Sequence, residues 1–309
     1  MKEIHEILQE AVERKASDIF IVSGFPLSYK INDVIQPAED EKLMPDTTEA
    51  LLRQIYELDG NRKIEQLIHT GDDDFSFSIK GLGRFRCSAY KQRNSLAAVL
   101  RVVYFNLPDA ESLGIPSIVT ELSKKKKGLV LITGSAGSGK STTLACIIDR
   151  INRSRRSHII TIEDPIEFLH AHRMSIVSQR EVSHDTKGYV QALRAALRQS
   201  PDVILLGEMR DFETIQTALT AAETGQLVLS TLHTTGASKT IDRIIDVFPA
   251  EQQQQIRIQL SMVLEAVVSQ QLIPAKDGRL IPAFEVMMVN SAIRNLIRES
   301  KTYQIDNAI

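Results

Sequence analysis

The apolar run Leu129-Val130-Leu131-Ile132-Thr133 leads directly into Gly134-Ser135-Ala136-Gly137-Ser138-Gly139-Lys140-Ser141. The second segment has every fixed position of the Walker A motif, and a stretch compatible with a helix begins at its end. In such a loop the glycines let backbone N–H groups turn toward phosphates, and the helix N-terminus adds a partial positive charge. The sequence therefore predicts a phosphate-binding loop between a strand and a helix.

Each residue of this loop has a predicted contact. We expect ATP to be held by residues 134–142, which are Gly134, Ser135, Ala136, Gly137, Ser138, Gly139, Lys140, Ser141 and Thr142. The ammonium of Lys140 is predicted to reach the β- and γ-phosphates, and the hydroxyl of Ser141 to contact Mg²⁺.

A second candidate for the Mg²⁺ site lies at the end of another apolar run. Val203–Leu206 is followed by Gly207 and Glu208, so Gly207 stands where a Walker B aspartate is usually found. Glu208 is the only acidic residue at this strand end, and we expect it to bind Mg²⁺ directly or through water. A strand followed by a glutamate is a weak signal alone, but the full Walker A motif earlier in the chain supports its assignment as Walker B.

Acidic residues and a histidine follow two further predicted strands. Glu163 belongs to the segment Ile162-Glu163-Asp164-Pro165-Ile166-Glu167, and His233 follows the run Leu227–Leu232. Ligands of open α/β sheets bind at the carboxyl ends of the strands. Glu163 is therefore a candidate base that orients the attacking water, and a solvated acidic turn is the alternative. His233 is either a γ-phosphate sensor or a structural histidine.

The same apolar runs predict the architecture of the second part of the chain. Short continuous apolar segments such as Leu129–Thr133, 158–162, Val203–Leu206 and Leu227–Leu232 are typical of strands buried on both faces. Helical segments at 141–152, 188–198 and 211–224 separate them, which predicts a mainly parallel sheet wrapped by helices. The last third, from Glu251, is interpreted as mostly helical.

The first part of the chain has a different pattern. Residues 18–22, 75–79, 84–90 and 97–104 are predicted to be strands, and several of them alternate apolar and polar side chains, as half-buried antiparallel strands do. We predict an α/β protein with a small α+β domain over residues 1–107, a linker over 108–120 and an ATPase domain over 121–309. Arg86 and Arg101 lie on predicted strands of the small domain, each as either a structural ion-pair partner or an arginine presented to the nucleotide.

Bulk properties limit the function classes. The chain has 309 residues, of which 43% are hydrophobic and 25% charged, and its net charge of −2 provides no general attraction to nucleic acid. Neither Cys87 nor Cys146 belongs to a CxxC pair, so we expect two buried free thiols rather than a metal site. No apolar run approaches the length of a membrane span. The sequence thus predicts a cytoplasmic protein without a nucleic-acid partner.

Taken in order, these motifs resemble the secretion ATPase superfamily of type II secretion and type IV pilus motors over essentially the whole chain. The superfamily's four boxes match Gly134–Ser141, Thr161–Glu167, Pro201–Asp211 and Ser230–Thr234. Within the superfamily the chain is similar to pilus retraction motors, because residues 292–299 match the segment associated with retraction, Asp242–Pro249 also fits, and a four-cysteine zinc module is absent.

The resemblance implies a PAS-like first domain, a RecA-like second domain and a homohexameric ring that hydrolyses ATP with Mg²⁺. It implies that Glu163 is the catalytic base, that Glu208 is the Mg²⁺ ligand and that His233 is the residue of the His box. It also implies that Arg86 and Arg101 reach the nucleotide from the small domain. The implied partner is a platform protein of the inner membrane, with the motor bound peripherally at the cytoplasmic face of that membrane. Replacing Arg294 or Arg298 is expected to spare hydrolysis and stop retraction.

Two features depart from the superfamily pattern. Gln226 stands where an earlier histidine of the His box is often found, and glutamine does not titrate near neutrality. The chain also ends at Ile309, where relatives usually continue with further helices, so a shortened chain and a short variant are both open.

Three alternatives to a retraction motor remain at this point. The first is a pilus assembly or secretion ATPase of the same superfamily. The second is a RecA-like nucleic-acid motor, which the near-neutral charge and the absence of aromatic and basic residues in alternation disfavour. The third is a nucleotide-gated scaffold without catalysis, which the presence of Glu163 and Glu208 disfavours.

Overall fold

The computed structural model describes residues 2–32, 34–60, 62–103, 107–275 and 280–308. Two compact units are present, Met1–Phe105 and Asn106–Ile309. The predicted boundary at residue 107 and the predicted linker over 108–120 stay predictions. Met1, Tyr104 and Ile309, which end predicted domains or strands, lie outside the described residues.

The first unit is built on an antiparallel sheet of six strands in the order β3-β2-β1-β6-β5-β4. Its elements are α1 (Ile4–Glu13), β1 (Asp18–Ile21), β2 (Pro26–Ile31), β3 (Val34–Lys42), α2 (Pro45–Asp59), α3 (Ile64–Thr70), β4 (Asp72–Ile79), β5 (Gly83–Gln92) and β6 (Ser95–Val103).

Helix α1 shows how the sequence pattern leads to the core of this unit. Ile4, Ile7, Leu8 and Ala11 are buried at the spacing of one helical face. Glu3 and Glu6 exchange hydrogen bonds with the backbone at the helix start and form a capping box. The apolar face packs into one cluster with residues of α2, α3 and the sheet, so the helices and strands share a single core.

The second unit contains a seven-stranded sheet in the order β13-β12-β7-β11-β10-β8-β9. Its elements are α4 (Ser117–Thr120), β7 (Gly128–Thr133), α5 (Lys140–Ser154), β8 (His158–Glu163), β9 (Ile176–Glu181), α6 (Tyr189–Ala196), β10 (Val203–Leu206), α7 (Phe212–Glu223), β11 (Leu227–Leu232), α8 (Ala237–Asp246), α9 (Ala250–Val263), β12 (Leu264–Pro274), β13 (Leu280–Met288) and α10 (Ser291–Arg298), with 3₁₀ turns at Glu121–Lys124 and Thr302–Asn307.

Six strands of this sheet are parallel, and only β13, at the edge beside β12, is antiparallel to its neighbour among the described strands. Every residue of β7, β10 and β11 is buried. Alternate residues of β7 enter two different clusters, with Leu129 and Leu131 in one and Val130 and Ile132 in the other. Helices therefore cover both faces, and the predicted α/β fold class is confirmed.

The prediction for the last third of the chain is wrong. After α9 the chain forms β12 and β13, which pair with each other over nine residue pairs and add β12 in parallel to β7. The interpretation failed because the polar residues Ser269, Gln270 and Gln271 interrupt the apolar run of β12. The two long strands extend the sheet past the strand that leads into the phosphate-binding loop.

Two smaller observations concern the described residues. Ile115 and Val119, within the predicted linker, are buried in the core of the second unit. In the part of the chain that the structure describes, no helix combines the length and apolar character needed to cross a membrane.

Candidate functional site

The phosphate-binding loop begins after β7 and ends at the first residue of α5, as the motif predicts. Gly134, Gly137 and Gly139 have φ angles of 143°, 74° and 86°. Residues with a Cβ rarely adopt these values, so the glycines are required for the tight path of the loop. Lys140, Ser141 and Thr142 form the first turn of α5.

The ammonium of Lys140 folds back onto its own loop. Its Nζ donates hydrogen bonds to the carbonyl oxygens of Gly134 at 2.9 Å and Ser135 at 2.7 Å. Burial lowers the pKa of Lys140 below its usual value. A phosphate group would offer this partly desolvated ammonium stronger, charged acceptors than the two carbonyl groups do.

A cavity of about 250 Å³ lies beside the loop, at the carboxyl ends of the parallel strands. Its lining combines loop and helix residues Ala136, Gly137, Lys140 and Ser141 with Glu163, Asp164, Glu167, Tyr189, Glu208, Arg210, Thr231 and His233, among others. The structure thus brings together Lys140, Ser141, Glu163, Glu208 and His233, which lie in four separate sequence motifs.

Glu163 is the last residue of β8, and two neighbouring side chains hold its carboxylate. Thr161 Oγ1 donates to Glu163 Oε1 at 2.6 Å, and Gln179 Nε2 lies 3.4 Å from the same oxygen. Thr161 and Gln179 face each other across β8 and β9. Burial raises the pKa of Glu163 to about 7, although these hydrogen bonds act in the opposite direction. A carboxylate with this pKa can accept a proton near neutral pH.

Glu208 follows β10 and is 9% exposed. Its Oε1 forms an ion pair with Arg210 Nη2 at 2.5 Å, and its Oε2 lies 3.4 Å from His233 Nε2. Backbone contacts to β11 fix this segment, because Met209 N donates to the carbonyl oxygen of Thr231 at 3.1 Å. The pairing of β10 with β11 therefore sets the distance between the glutamate and the histidine.

Close packing explains why Gly207, and not a larger residue, stands in the position of the Walker B aspartate. A Cβ at Gly207 would lie 2.9 Å from the hydroxyl oxygen of Tyr189 and 3.3 Å from the carbonyl oxygen of Ile162. Tyr189, the first residue of α6, lines the same cavity. Burial raises the pKa of its phenol further above its ordinary range. The space that the Cβ of an aspartate would need is therefore restricted by the hydroxyl group of Tyr189 and the backbone of Ile162.

Thr161, Gln179, Tyr189 and Arg210 received no role in the sequence analysis. The i, i+2 spacing of Thr161 and Glu163, and of Glu208 and Arg210, places each pair on one side of an extended segment and could have indicated two of them. No local signal indicates Gln179 or Tyr189, because their proximity depends on the pairing of β9 and the docking of α6.

The donor groups at this cavity suit Mg²⁺ bound together with a nucleotide. Among the described residues no cluster of three or more histidine, cysteine, aspartate or glutamate side chains could hold a metal ion by itself. Mg²⁺ in nucleotide sites is usually held by one or two protein oxygens together with phosphate oxygens. The hydroxyl of Ser141 and the carboxylate of Glu208, both lining the cavity, are donors of this kind.

The two selected arginines belong to the first unit, where they are cross-strand neighbours on β5 and β6. Arg101 Nε lies 3.0 Å from Asp18 Oδ1, and its side chain is 66% exposed. The ion pair holds one part of the guanidinium of Arg101 and leaves the rest open to solvent. For both Arg86 and Arg101, contact with a nucleotide stays a prediction.

Gln226 lies far from the cavity. It precedes β11, whereas His233 follows that strand. A strand of six residues separates them by about 20 Å. Gln226 accepts a hydrogen bond from Thr224 Oγ1 at 2.8 Å, and its backbone carbonyl accepts one from Gly128. The missing histidine at this position therefore does not alter the cavity within this chain.

The predicted retraction segment forms α10. Arg294 donates to the carbonyl oxygens of Ser261 and Met262 and to Glu265 Oε1 at 2.8 Å, so it ties α10 to the end of α9 and the start of β12. Arg298 is exposed. Two arginines that are equivalent in the sequence motif thus have different surroundings.

Comparison with known proteins agrees with these features. The sequence pattern of the family described as type II/IV secretion system protein matches residues 1–305. A type IV pilus retraction ATPase, PilT, of Pseudomonas aeruginosa is 45% identical over 307 residues, which are 99% of this chain and 88% of that protein. A twitching motility protein of Neisseria gonorrhoeae is 49% identical over 252 residues, 81% of this chain and 67% of that protein.

A solved structure extends the similarity to three dimensions. The crystal structure of the pilus retraction motor PilT with bound ADP superposes with a TM-score of 0.92 at 48% identity, covering 100% of this chain and 89% of that one. The family match and the identities extend over both units. The chain therefore belongs to the type II/IV secretion system protein family.

Proposed function

We propose that this chain is an ATPase that powers the retraction of type IV pili. The observation that carries the proposal is the 45% identity to a pilus retraction ATPase over 99% of the chain, which includes the complete phosphate-binding loop. The related motor structure contains ADP. The cavity beside the loop is the place in this chain where such a nucleotide would bind.

Residues 134–142 bind the phosphates of ATP. When they do, Lys140 exchanges the carbonyl groups of Gly134 and Ser135 for the β- and γ-phosphates. The glycines that the loop requires also leave its backbone N–H groups accessible. Ser141 and Glu208 hold Mg²⁺, which when bound neutralises charge that develops on the phosphates.

Glu163 acts as the base that orients and deprotonates the attacking water. Its position at the cavity wall and its pKa of about 7 support this role. His233 senses the γ-phosphate, because it lies beside Glu208 and can hydrogen-bond a phosphate oxygen when the site is filled. Arg86 and Arg101 contact the nucleotide and stabilise the charge of the transition state, as the family resemblance implies.

The working form is a homohexameric ring at the cytoplasmic face of the inner membrane. ATP turnover changes the arrangement of the two units in each subunit and moves a platform protein in the membrane. No nucleic acid takes part. The ring, its location and its membrane partner are those that the family resemblance implies, and a pilus assembly or secretion ATPase of the same family is the alternative.

The catalytic part is tested by Glu163→Gln. We expect turnover to fall at least about 100-fold, as for removal of a general base, while a fluorescent ATP analogue binds with little change. The exposed Glu57→Gln on α2 is the matched control and is expected to retain wild-type turnover. Near-normal turnover of Glu163→Gln would reject the base assignment.

The direction of the motor is tested separately, by deletion of the gene and complementation. Loss of a retraction motor leaves or increases the number of surface pili and stops twitching motility, whereas loss of an assembly motor removes the pili. Complementation with wild type should restore motility, and complementation with Glu208→Ala should not. A deletion strain without surface pili would show that the chain is an assembly motor and not a retraction motor.

A further inference from the structure

Gln270 is a buried polar residue directly beside the phosphate-binding loop, and the proposed mechanism does not use it. It lies on β12, and the pairing of Ser269 with Thr133 places it beside the start of the loop. Gln270 is only 3% exposed to solvent. Gln270 is not among the residues that line the cavity.

Gln270 meets both ends of the loop. A Cβ at Gly134 would collide with the carbonyl oxygen of Gln270, and a Cβ at Gly139 would lie 2.8 Å from Gln270 Nε2. The two glycines therefore have a second requirement besides their φ angles, because no side chain fits between the loop and β12. The first and last glycines of the motif, Gly134 and Gly139, therefore both lie against Gln270.

The amide of Gln270 also reaches the helix that follows the loop. Thr143 Oγ1 donates to Gln270 Oε1 at 2.7 Å, and both residues are buried. With its oxygen turned to Thr143, the amide presents its NH₂ group to Gly139. Thr143 lies in the first turn of α5, three residues after Lys140 and two after Ser141, so the hydrogen bond fixes the turn that carries both side chains.

We infer that Gln270 is a positioning residue for nucleotide binding, which sets the loop and the first turn of α5 through Thr143, Gly134 and Gly139. This inference rests on the proposed nucleotide site. Without the hydrogen bond, the first turn of α5 is free to shift relative to β7, and the phosphates lose part of their alignment with Lys140 and with the backbone N–H groups. Gln270 acts through these groups and does not itself touch the phosphates.

The test is the affinity of the full chain for a fluorescent ADP analogue. Gln270→Met keeps the length of the side chain and removes the amide, and we expect the Kd to rise about 3- to 10-fold, the effect of one lost hydrogen bond. Thr143→Val should raise it by a similar factor. The Kd of the double variant should not exceed the higher of the two single-variant Kd values, because both substitutions remove the same hydrogen bond. Gln271→Met, the same change at the exposed next residue, is the matched control and should leave the Kd unchanged.

Thr143→Ser distinguishes a hydrogen bond from a packing effect. It keeps the hydroxyl and removes a methyl group, so it should bind the analogue nearly as well as wild type, and this comparison remains available if Gln270→Met does not fold. A wild-type Kd in Gln270→Met, or equal losses in Thr143→Ser and Thr143→Val, would overturn the inference. Failure of the wild-type chain to bind the analogue at all would instead reject the proposed nucleotide site, and the inference with it.

Discussion

Arg210 Nη2 lies 2.5 Å from Glu208 Oε1, so the proposed Mg²⁺ ligand is already paired with a cation of its own chain. The guanidinium comes from an exposed side chain, with 70% of its surface accessible, whereas the carboxylate is 11% accessible. Arg210 thus neutralises a largely buried charge and competes with Mg²⁺ for the same oxygen of Glu208.

Removal of this guanidinium is expected to make Mg²⁺ binding easier. Arg210→Gln should lower the Mg²⁺ concentration that half-saturates nucleotide binding by up to about fivefold, since ion pairs with one exposed partner contribute roughly 0 to 1 kcal/mol. A Mg²⁺ titration of the fluorescent ADP analogue measures it. Arg194→Gln is a control, because Arg194 is also exposed and its partner Glu213 is 4.0 Å away. A higher Mg²⁺ requirement in Arg210→Gln would show that Arg210 supports the site instead.

The pKa of Glu163 predicts an acidic limb in the pH profile of hydrolysis. Burial raises this pKa from 4.5 to about 7, so the carboxylate is protonated and unable to act as a base below that pH. We expect kcat/KM to fall about tenfold per pH unit below about pH 7. Thr161→Val removes a hydrogen bond that lowers the pKa, so the limb should move to higher pH.

The control for that profile is Thr220→Val, which removes an exposed hydroxyl that donates to the carbonyl oxygen of Gln216 within α7. Its acidic limb should coincide with that of the wild type. An acidic limb near pH 4.5 in the wild type would contradict the buried environment of Glu163. A limb in Thr161→Val that stays in place would show that Thr161 does not control the carboxylate.

Gly207 and Tyr189 make a coupled pair. Gly207→Ala places a methyl group 2.9 Å from the tyrosine hydroxyl oxygen, and overpacking of this kind costs about 1 to 3 kcal/mol. We expect a lower Tm by thermal unfolding. Combining Gly207→Ala with Tyr189→Phe, which removes the hydroxyl, should recover part of the loss, while Tyr189→Phe alone changes Tm little. Additive effects of the two substitutions would disprove the contact.

Of the six parallel strands, the central β7, β8, β10 and β11 could be predicted closely, because burial on both faces leaves little polar signal in them, whereas β9 and β12 were not predicted. The segments predicted at 203–206 and 227–232 coincide with β10 and β11. By contrast, β3 was not predicted, since it is an edge strand that exposes nearly all of its residues and so lacks apolar alternation. Strand β12 was not predicted because polar residues interrupt its apolar run. One of them, Gln270, forms a buried hydrogen bond with Thr143, and a tertiary contact of this kind cannot be inferred from the periodicity of the sequence.

The site was predictable where a motif encodes it and unpredictable where distant elements meet. Lys140, Ser141, Glu163, Glu208 and His233 stand in motifs at strand ends, and parallel strands bring their carboxyl ends to one edge. The groups that tune those residues come from elsewhere. Their identity depends on which strands are neighbours and where α6 docks, and neither follows from local spacing.

Substitutions of Arg294 and Arg298 are expected to change the free energy of unfolding by different amounts, even if both arginines are needed for retraction. Arg294→Gln removes three hydrogen bonds to α9 and β12 and leaves Glu265 with Lys125 as its cationic partner, so we expect a loss of about 1.5 to 3 kcal/mol. Arg298→Gln changes an exposed side chain and should stay within about 0.5 kcal/mol of wild type. Chemical unfolding measures both.

These two variants also separate a folding defect from a functional one. Below the unfolding transition both should hydrolyse ATP at the wild-type rate, because neither side chain lines the cavity. If Arg298→Gln abolishes retraction with full stability and hydrolysis, its guanidinium acts on something outside the folded chain. If only Arg294→Gln abolishes retraction, the loss follows from the position of α10 against the end of α9 and the start of β12, the strand that also carries Gln270 beside the phosphate-binding loop. Collapse of hydrolysis in Arg298→Gln would contradict the separation of this segment from the catalytic site.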